Sequence, residues 1–309
     1  MQFTIASKIA FEGVGLHSGK RTKMVVHPAK ANFGIWFLRS DEKEHNSLIR
    51  ASYINVVDKP LCTRLINGDG VSVSTVEHVM AALAGCGVHN ALVELDSDEV
   101  PILDGCSEIF VKEILKAGLK NLGVKQLALE ILETIEVRHN GAEVSLGPSG
   151  SLEIEFQIDF DEKIIGKQFK SLNMANGAFV HELASSRTFC RQADIDQMHS
   201  NGFALGGNYD NAIVFDKDVV LSPGGLRYKD EAVRHKMLDA LGDLALAGMP
   251  IIGRFRGIKA GHQATHKLLR KLFSSSNYYR IVECSPVQLG SLPGAGLDKA
   301  DLGVLRVSY

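Results

Sequence analysis

Apolar positions alternate in some stretches of this chain and recur every three to four residues in others, and the change of period marks out its elements. Lys23-Met-Val-Val-His27, Ile35-Trp-Phe-Leu38 and the segments 49–57 and 61–66 have strand character, with a turn at Asn67-Gly-Asp-Gly70. Ser74 to Leu83 predicts a helix stopping at Gly85, Ala91-Leu-Val-Glu-Leu95 a strand, and Ser107 to Ala117 an amphipathic helix closed by Gly118. A second run repeats the order. Segments 127–138, 142–146 and 152–159 are strand-like, with turns at Asn140-Gly and Pro148-Ser-Gly. A helix is predicted from Asp230 to Ala247, stopping at Gly248, then a strand over 251–258 and a helix from His262 to Phe273.

The repetition extends to residues. Val76-Glu-His-Val-Met-Ala-Ala-Leu-Ala-Gly85 lies over Val233-Arg-His-Lys-Met-Leu-Asp-Ala-Leu-Gly242, with Val, His, Met and Gly coinciding without a gap. Each of these helices precedes a strand and another helix. A duplication is therefore expected, with a boundary near Gly123 and domains over 1–123 and 124–309. Phe189 to Val220 has no counterpart in the first half and reads as an insertion.

Composition narrows the class. The 309 residues are enough for two cores, and the net charge of −2 offers no footprint for nucleic acid or a membrane surface. No run approaches the roughly 20 apolar residues of a membrane helix, and the N-terminus lacks signal-peptide character. A cytoplasmic protein is expected. The 5 cysteines (Cys62, Cys86, Cys106, Cys190 and Cys284) are scattered and form no CxxC pair, so buried thiols are expected rather than disulfides or a cysteine metal site. Any metal ligands should be histidine and carboxylate.

His235 and Asp239 are four apart on a helical segment, which puts them on one face, about 5–6 Å apart at Cβ. The pair suits two ligands of one tetrahedral zinc, or a surface ion pair. Glu77 and His78 are adjacent and diverge by about 100° on a helix, so they can split roles, His78 binding and Glu77 reaching a water. Ser74-Thr-Val-Glu77 also fits a capping box, in which Glu77 serves its own helix end. His262 opens a helix, and Asp243, one turn beyond Asp239, could pair with it and favour its charged form. Thr188 could hydrogen-bond an oxyanion or be a turn residue. His17, His27, His45, His89, His139, His181, His199 and His266 form no evident ligand set. Gly13-Val-Gly-Leu-His-Ser-Gly-Lys20 is Gly-rich but misses the P-loop spacing, and the HExxH and HxxEH patterns of zinc peptidases are absent.

Together these segments carry a family resemblance. Gly13-Val-Gly-Leu-His-Ser-Gly-Lys20, Ser74-Thr-Val-Glu-His78, Pro101-Ile-Leu-Asp-Gly105, Ser185-Ser-Arg-Thr-Phe189, Leu205-Gly-Gly207, Arg234-His-Lys-Met-Leu-Asp-Ala-Leu-Gly-Asp243 and Gly261-His262 resemble the UDP-3-O-acyl-N-acetylglucosamine deacetylases of lipid A synthesis in Gram-negative bacteria. The motifs run in family order over nearly the whole chain. The resemblance implies an α+β fold of two pseudo-repeated two-layer domains, helices facing each other and sheets outside. Each domain would carry a small insert, one near residues 38–66 and one over 189–220 that helps form an acyl passage.

It also implies one Zn²⁺ per chain, held by His78, His235 and Asp239, with Glu77 as general base. His262, supported by Asp243, resembles the electrostatic stabiliser or general acid, Thr188 the oxyanion donor, and Lys236 a contact to substrate and intermediate. Phe189, Gly207, Cys62 and His17 fall among the substrate-binding positions. The implied reaction is hydrolysis of the N-acetyl group of a UDP-linked acylated amino sugar by a zinc-activated water, in a chain expected to be a monomer. Two alternatives stand beside it: a zinc amidohydrolase acting on a different acylated sugar, and a non-catalytic relative with a structural metal.

Overall fold

The computed structural model describes residues 1–303 and 305; the remaining C-terminal positions of the 124–309 stretch lie outside the described residues. Its architecture is mixed α+β, with several sheets around buried helices. The five principal helices are α1 (Glu77–Gly85), α2 (Glu108–Ala117), α3 (Gln192–Ser200), α4 (Glu231–Leu244) and α5 (His262–Leu272).

Two sheets share one pattern. In the first, the strand order is Ile9–Val14, Arg21–Pro28, Ala91–Leu95, Ile35–Arg39, Leu48–Arg50. Ala91–Leu95 runs parallel to Ile35–Arg39, and the other neighbours are antiparallel. In the second the order is Ile135–His139, Ala142–Gly147, Ile251–Ile258, Leu152–Asp159, Lys167–Asn173, with the parallel pair again between the third and fourth strands. Leu127–Ile131 and Tyr279–Glu283 extend this sheet past the start of Ile251–Ile258. In each half the third strand lies between two helices in sequence, α1 and α2 or α4 and α5.

The strand expected over 49–57 is broken by a 3-10 turn at Tyr53–Asn55, and that over 127–138 is split in two around residues 132–134. Leu38 and Leu48 pair within the large sheet, so the separate small sheet is narrower than 38–66 at its start. It comprises Val56–Val57, Arg64–Ile66 and Ser72–Ser74. Phe189–Arg191, Ile213–Asp216 and Val219–Val220 form a second small sheet, with α3 between its first two strands. All five cysteines are free thiols.

Helices α1 and α4 form the centre. Nearly every residue of both is buried; α1 is accordingly apolar on most sides, whereas α4 buries a polar face with His235, Asp239 and Asp243. The two helices approach closely at Gly242, where a Cβ would sit 2.1 Å from the Glu77 carbonyl oxygen. Gly85 meets the Phe179 ring in the same way, a Cβ there falling 2.1 Å from a ring carbon. Larger residues at either site force neighbours apart.

Gly242→Ala is expected to cost about 1–3 kcal/mol by overpacking. Because α1 and α4 must then separate beside Glu77, activity should fall further than that loss of stability explains; denaturant titration and turnover on one preparation compare the two.

Candidate active site

The N-terminal turn of α1 is shaped by the residues before it. Ser74 ends a strand rather than entering the helix, and Thr75 turns the chain at φ +57°, a left-handed conformation costly for a β-branched residue. The Thr75 hydroxyl donates to Glu99 Oε1 at 2.7 Å, and the same buried carboxylate accepts from the backbone N–H groups of His17 (2.9 Å) and Ser18 (2.7 Å). The capping box does not form: Val76 caps α1, without a side-chain bond. Glu77 turns instead to the interior, where its Oε2 accepts from the Thr63 backbone N–H at 3.1 Å. Burial pushes its carboxyl upward, against the pull of His262 and His78.

His78 from α1 meets His235 and Asp239 from α4. Their ligand atoms lie within 4.8 Å of one another. Nε2 of His235 and of His78 stand 3.3 and 3.5 Å from Asp239 Oδ1, which has no hydrogen-bond partner. Zinc–ligand distances of about 2.0–2.2 Å give a tetrahedron with edges of about 3.4 Å, so the three residues fit a zinc ion. His235 Nδ1 lies 3.0 Å from the Ser186 carbonyl, which takes the Nδ1 proton and leaves the Nε2 lone pair free. Burial drops the pKa of His235 to about 3, despite Asp239, so the imidazole is neutral. Burial alone would raise Asp239, but the Lys236 ammonium against it outweighs that and holds it well below the carboxylate range. Lys236 Nζ donates to Asp239 Oδ2 at 2.6 Å.

His262 at the start of α5 bonds Asp243 Oδ2 through Nδ1 at 2.8 Å, while its Nε2 faces Glu77 Oε1 at 3.7 Å. Burial opposes its charge, but Asp243 and then Glu77 prevail and push its pKa up to about 9. Sequence reading did not reach two partners of Asp243. Thr63 donates its hydroxyl to Asp243 Oδ1 at 2.6 Å, and His266 Nε2 lies 3.3 Å from the same oxygen. His266 is one turn beyond His262 on α5, a spacing visible in the sequence; Thr63 had no local signal.

A cleft of about 1320 Å³ opens onto these groups, and His17, Glu77, His78, Thr188, Phe189, Gly207, His235, Lys236, Asp239 and His262 all line it. Thr188 is pinned by backbone bonds to Gly105 and Ile213, both 2.8 Å. The Phe189 ring stands edge-on to those of His235 and Phe160. His17 packs against Phe203 and has an unpartnered, buried Nε2. Cys62 is 1 % exposed and lies behind the cleft wall, its thiol pushed up to about 12 by burial and then by Glu77. Asp243 also sits behind the wall, touching the cleft only through His262.

Buried histidine and carboxylate ligands beside a second carboxylate and an aspartate-bound imidazole, at the floor of a large cleft, have the chemistry of a zinc hydrolase. A family model described as LpxC, UDP-3-O-acyl N-acetylglycosamine deacetylase, matches residues 2–274. The chain is 41% identical to the UDP-3-O-acyl-N-acetylglucosamine deacetylase of Geobacter sp. (strain M21) over 285 residues, 92% of this chain and 93% of that protein. It is also 41% identical to the deacetylase of the same name from Haemophilus influenzae (strain 86-028NP), over 91% of this chain and 92% of that one. The chain belongs to this family, the zinc-dependent UDP-3-O-acyl-N-acetylglucosamine deacetylases of lipid A biosynthesis. No helix of the described residues is long and apolar enough to cross a membrane.

The raised pKa of His262 has a measurable sign. Above the ordinary 6.5, the folded state keeps a proton that the unfolded chain releases, so this contribution to stability is full below about 6.5 and disappears as pH rises through about 9. In chelator-treated protein, the His262 ring should titrate near pH 9 by NMR, and Asp243→Asn should bring that midpoint down.

Proposed function

We propose that His78, His235 and Asp239 hold a single Zn²⁺, and that Glu77, His262, Thr188 and Lys236 carry out deacetylation around it. The observation that carries this reading is the convergence of Glu77 and His262 beside the three ligand atoms. Zinc supplies a lowered pKa for water and polarisation of the acetyl carbonyl.

The protein groups divide the remaining work. Glu77, desolvated and raised in pKa, takes the proton of the attacking water. Thr188, on a strand end held by two backbone bonds, offers its hydroxyl to the developing oxyanion. Lys236, which also lines the cleft, adds a positive charge beside Asp239. His262 enters the reaction protonated, because Asp243 holds its Nδ1 proton, and its Nε2 faces the reacting groups. It stabilises the tetrahedral intermediate or protonates the leaving amine. Phe189, Gly207 and His17 position the sugar and acyl chain along the cleft, with the 189–220 insert forming the acyl passage. Cys62 supports that wall from behind.

The matching strand orders support a chain of two pseudo-repeated two-layer units, 1–123 and 124–309, with helices inward and sheets outward. On this reading the working protein is a cytoplasmic monomer, with the zinc between its units.

Acetate release from UDP-3-O-acyl-N-acetylglucosamine should stop on adding a chelator and return with zinc. His235→Ala should lose the metal. Glu77→Gln should keep it, yet turn over roughly 10²–10⁴-fold more slowly. Thr188→Val should lose roughly 10²–10³-fold with zinc retained. Near-normal turnover in Glu77→Gln would remove it as the base.

A further inference from the structure

We infer that Thr63 and His266 are positioning residues that lock the Asp243–His262 pair to Glu77 across the two halves of the chain. The inference rests on the roles proposed above for Glu77 and His262. Thr63 is fully buried and His266 is 3 % exposed, and neither lines the cleft. They can therefore reach the reaction only through other residues.

Thr63 bonds in two directions. Its backbone N–H donates to Glu77 Oε2 at 3.1 Å, and its hydroxyl donates to Asp243 Oδ1 at 2.6 Å. One residue thus ties the carboxylate on α1 to the carboxylate on α4. The hydroxyl has a single proton, and the 2.6 Å bond to an acceptor-only carboxylate takes it. His266 Nε2, 3.1 Å from that hydroxyl oxygen and 3.3 Å from Asp243 Oδ1, is therefore the donor and shares its proton between the two oxygens. Asp243 collects the Thr63 hydroxyl and the His266 N–H on Oδ1 and the His262 Nδ1–H on Oδ2. Three donors hold it ionised and fix its plane, and hence the direction in which His262 Nε2 points. Without the hydroxyl, the carboxylate loses its shortest bond and can rotate away from His262.

The expected signature separates positioning from folding or binding. Thr63→Val keeps the shape and the backbone bond to Glu77 but loses the hydroxyl. Its kcat should fall roughly 10-fold or more, as for a lost bond to a charged group, with KM and zinc content unchanged. Thr63→Ser should restore kcat. His266→Leu should lower kcat in the same way, and His266→Gln, which brings an N–H donor, should recover most of it. A double-mutant cycle of Thr63→Val with Asp243→Asn should be strongly non-additive.

Wild-type kcat in Thr63→Val beside an impaired Asp243→Asn would overturn this inference alone. Wild-type kcat in Asp243→Asn would remove the parent reading and this inference with it. If Thr63→Val does not fold, the His266 pair decides: equal kcat in His266→Leu and His266→Gln overturns the inference, and rescue by glutamine supports it.

Discussion

The site depends on how closely α1 approaches α4. Gly242 lets the backbone of one helix rest on the Glu77 carbonyl of the other. That contact is one residue from Asp243 and three from Asp239, so it sets the spacing of the charged groups almost directly. His78 comes from one helix and His235 and Asp239 from its neighbour, so the 3.5 Å separation of His78 from Asp239 Oδ1 is an inter-helical distance, whereas the 3.3 Å one of His235 is fixed within α4. A side chain at 242 would widen the inter-helical one by a fraction of the helix spacing, and a metal site tolerates little of that.

Close packing also excludes water, and burial acts on every ionisable group here in the same sense, against charge. What differs is the partner. His235 and His262 are both buried imidazoles, yet one is pulled down to about 3 and the other pushed up to about 9. His235 presents Nδ1 to the neutral Ser186 carbonyl, whereas His262 presents it to the Asp243 carboxylate. The carboxylates divide likewise. Asp239 and Asp243 lie against cationic partners and are lowered, while Glu77 accepts mainly from a neutral backbone N–H and is raised. One buried setting thus yields a neutral imidazole, a charged imidazole and a carboxyl raised toward its neutral form, the separation that the roles proposed above for His235, His262 and Glu77 require.

Legibility in the sequence followed the range of the interaction. Helices α2, α4 and α5 were readable because their periodicity and closing residues are local. The edge strand Lys167–Asn173 was not, because a polar run such as Lys-Gln-Phe-Lys-Ser-Leu-Asn becomes a strand only through its partner Leu152–Asp159. The start of α1 was misplaced for a related reason. Ser74-Thr-Val-Glu77 has the local form of a capping box, but Glu99, distant in sequence, holds Thr75 in a left-handed turn and Thr63 draws Glu77 inward. Spacing alone offered His235 with Asp239 as a ligand pair but fitted a surface ion pair better. Their meeting with His78 depends on helix packing that no short segment encodes.

The shared strand order of the two large sheets makes the asymmetry of the site informative. In the gapless overlay of α1 and α4, His78 falls on His235 and Gly85 on Gly242, but Asp239 falls on Ala82. Both glycines serve close approach, Gly242 against the Glu77 backbone and Gly85 against the Phe179 ring. Ala82 is fully buried. A carboxylate there would follow His78 by four, but Val79 stands where α4 has Lys236, so it would be a desolvated charge without the ammonium that compensates Asp239, and such a charge costs several kcal/mol or takes up a proton. Two similar helices can therefore share their packing residues and still supply unequal chemistry. On the single-zinc reading proposed above, α4, which carries Lys236, supplies the carboxylate and α1 does not, so the two helices would share one metal position rather than build two.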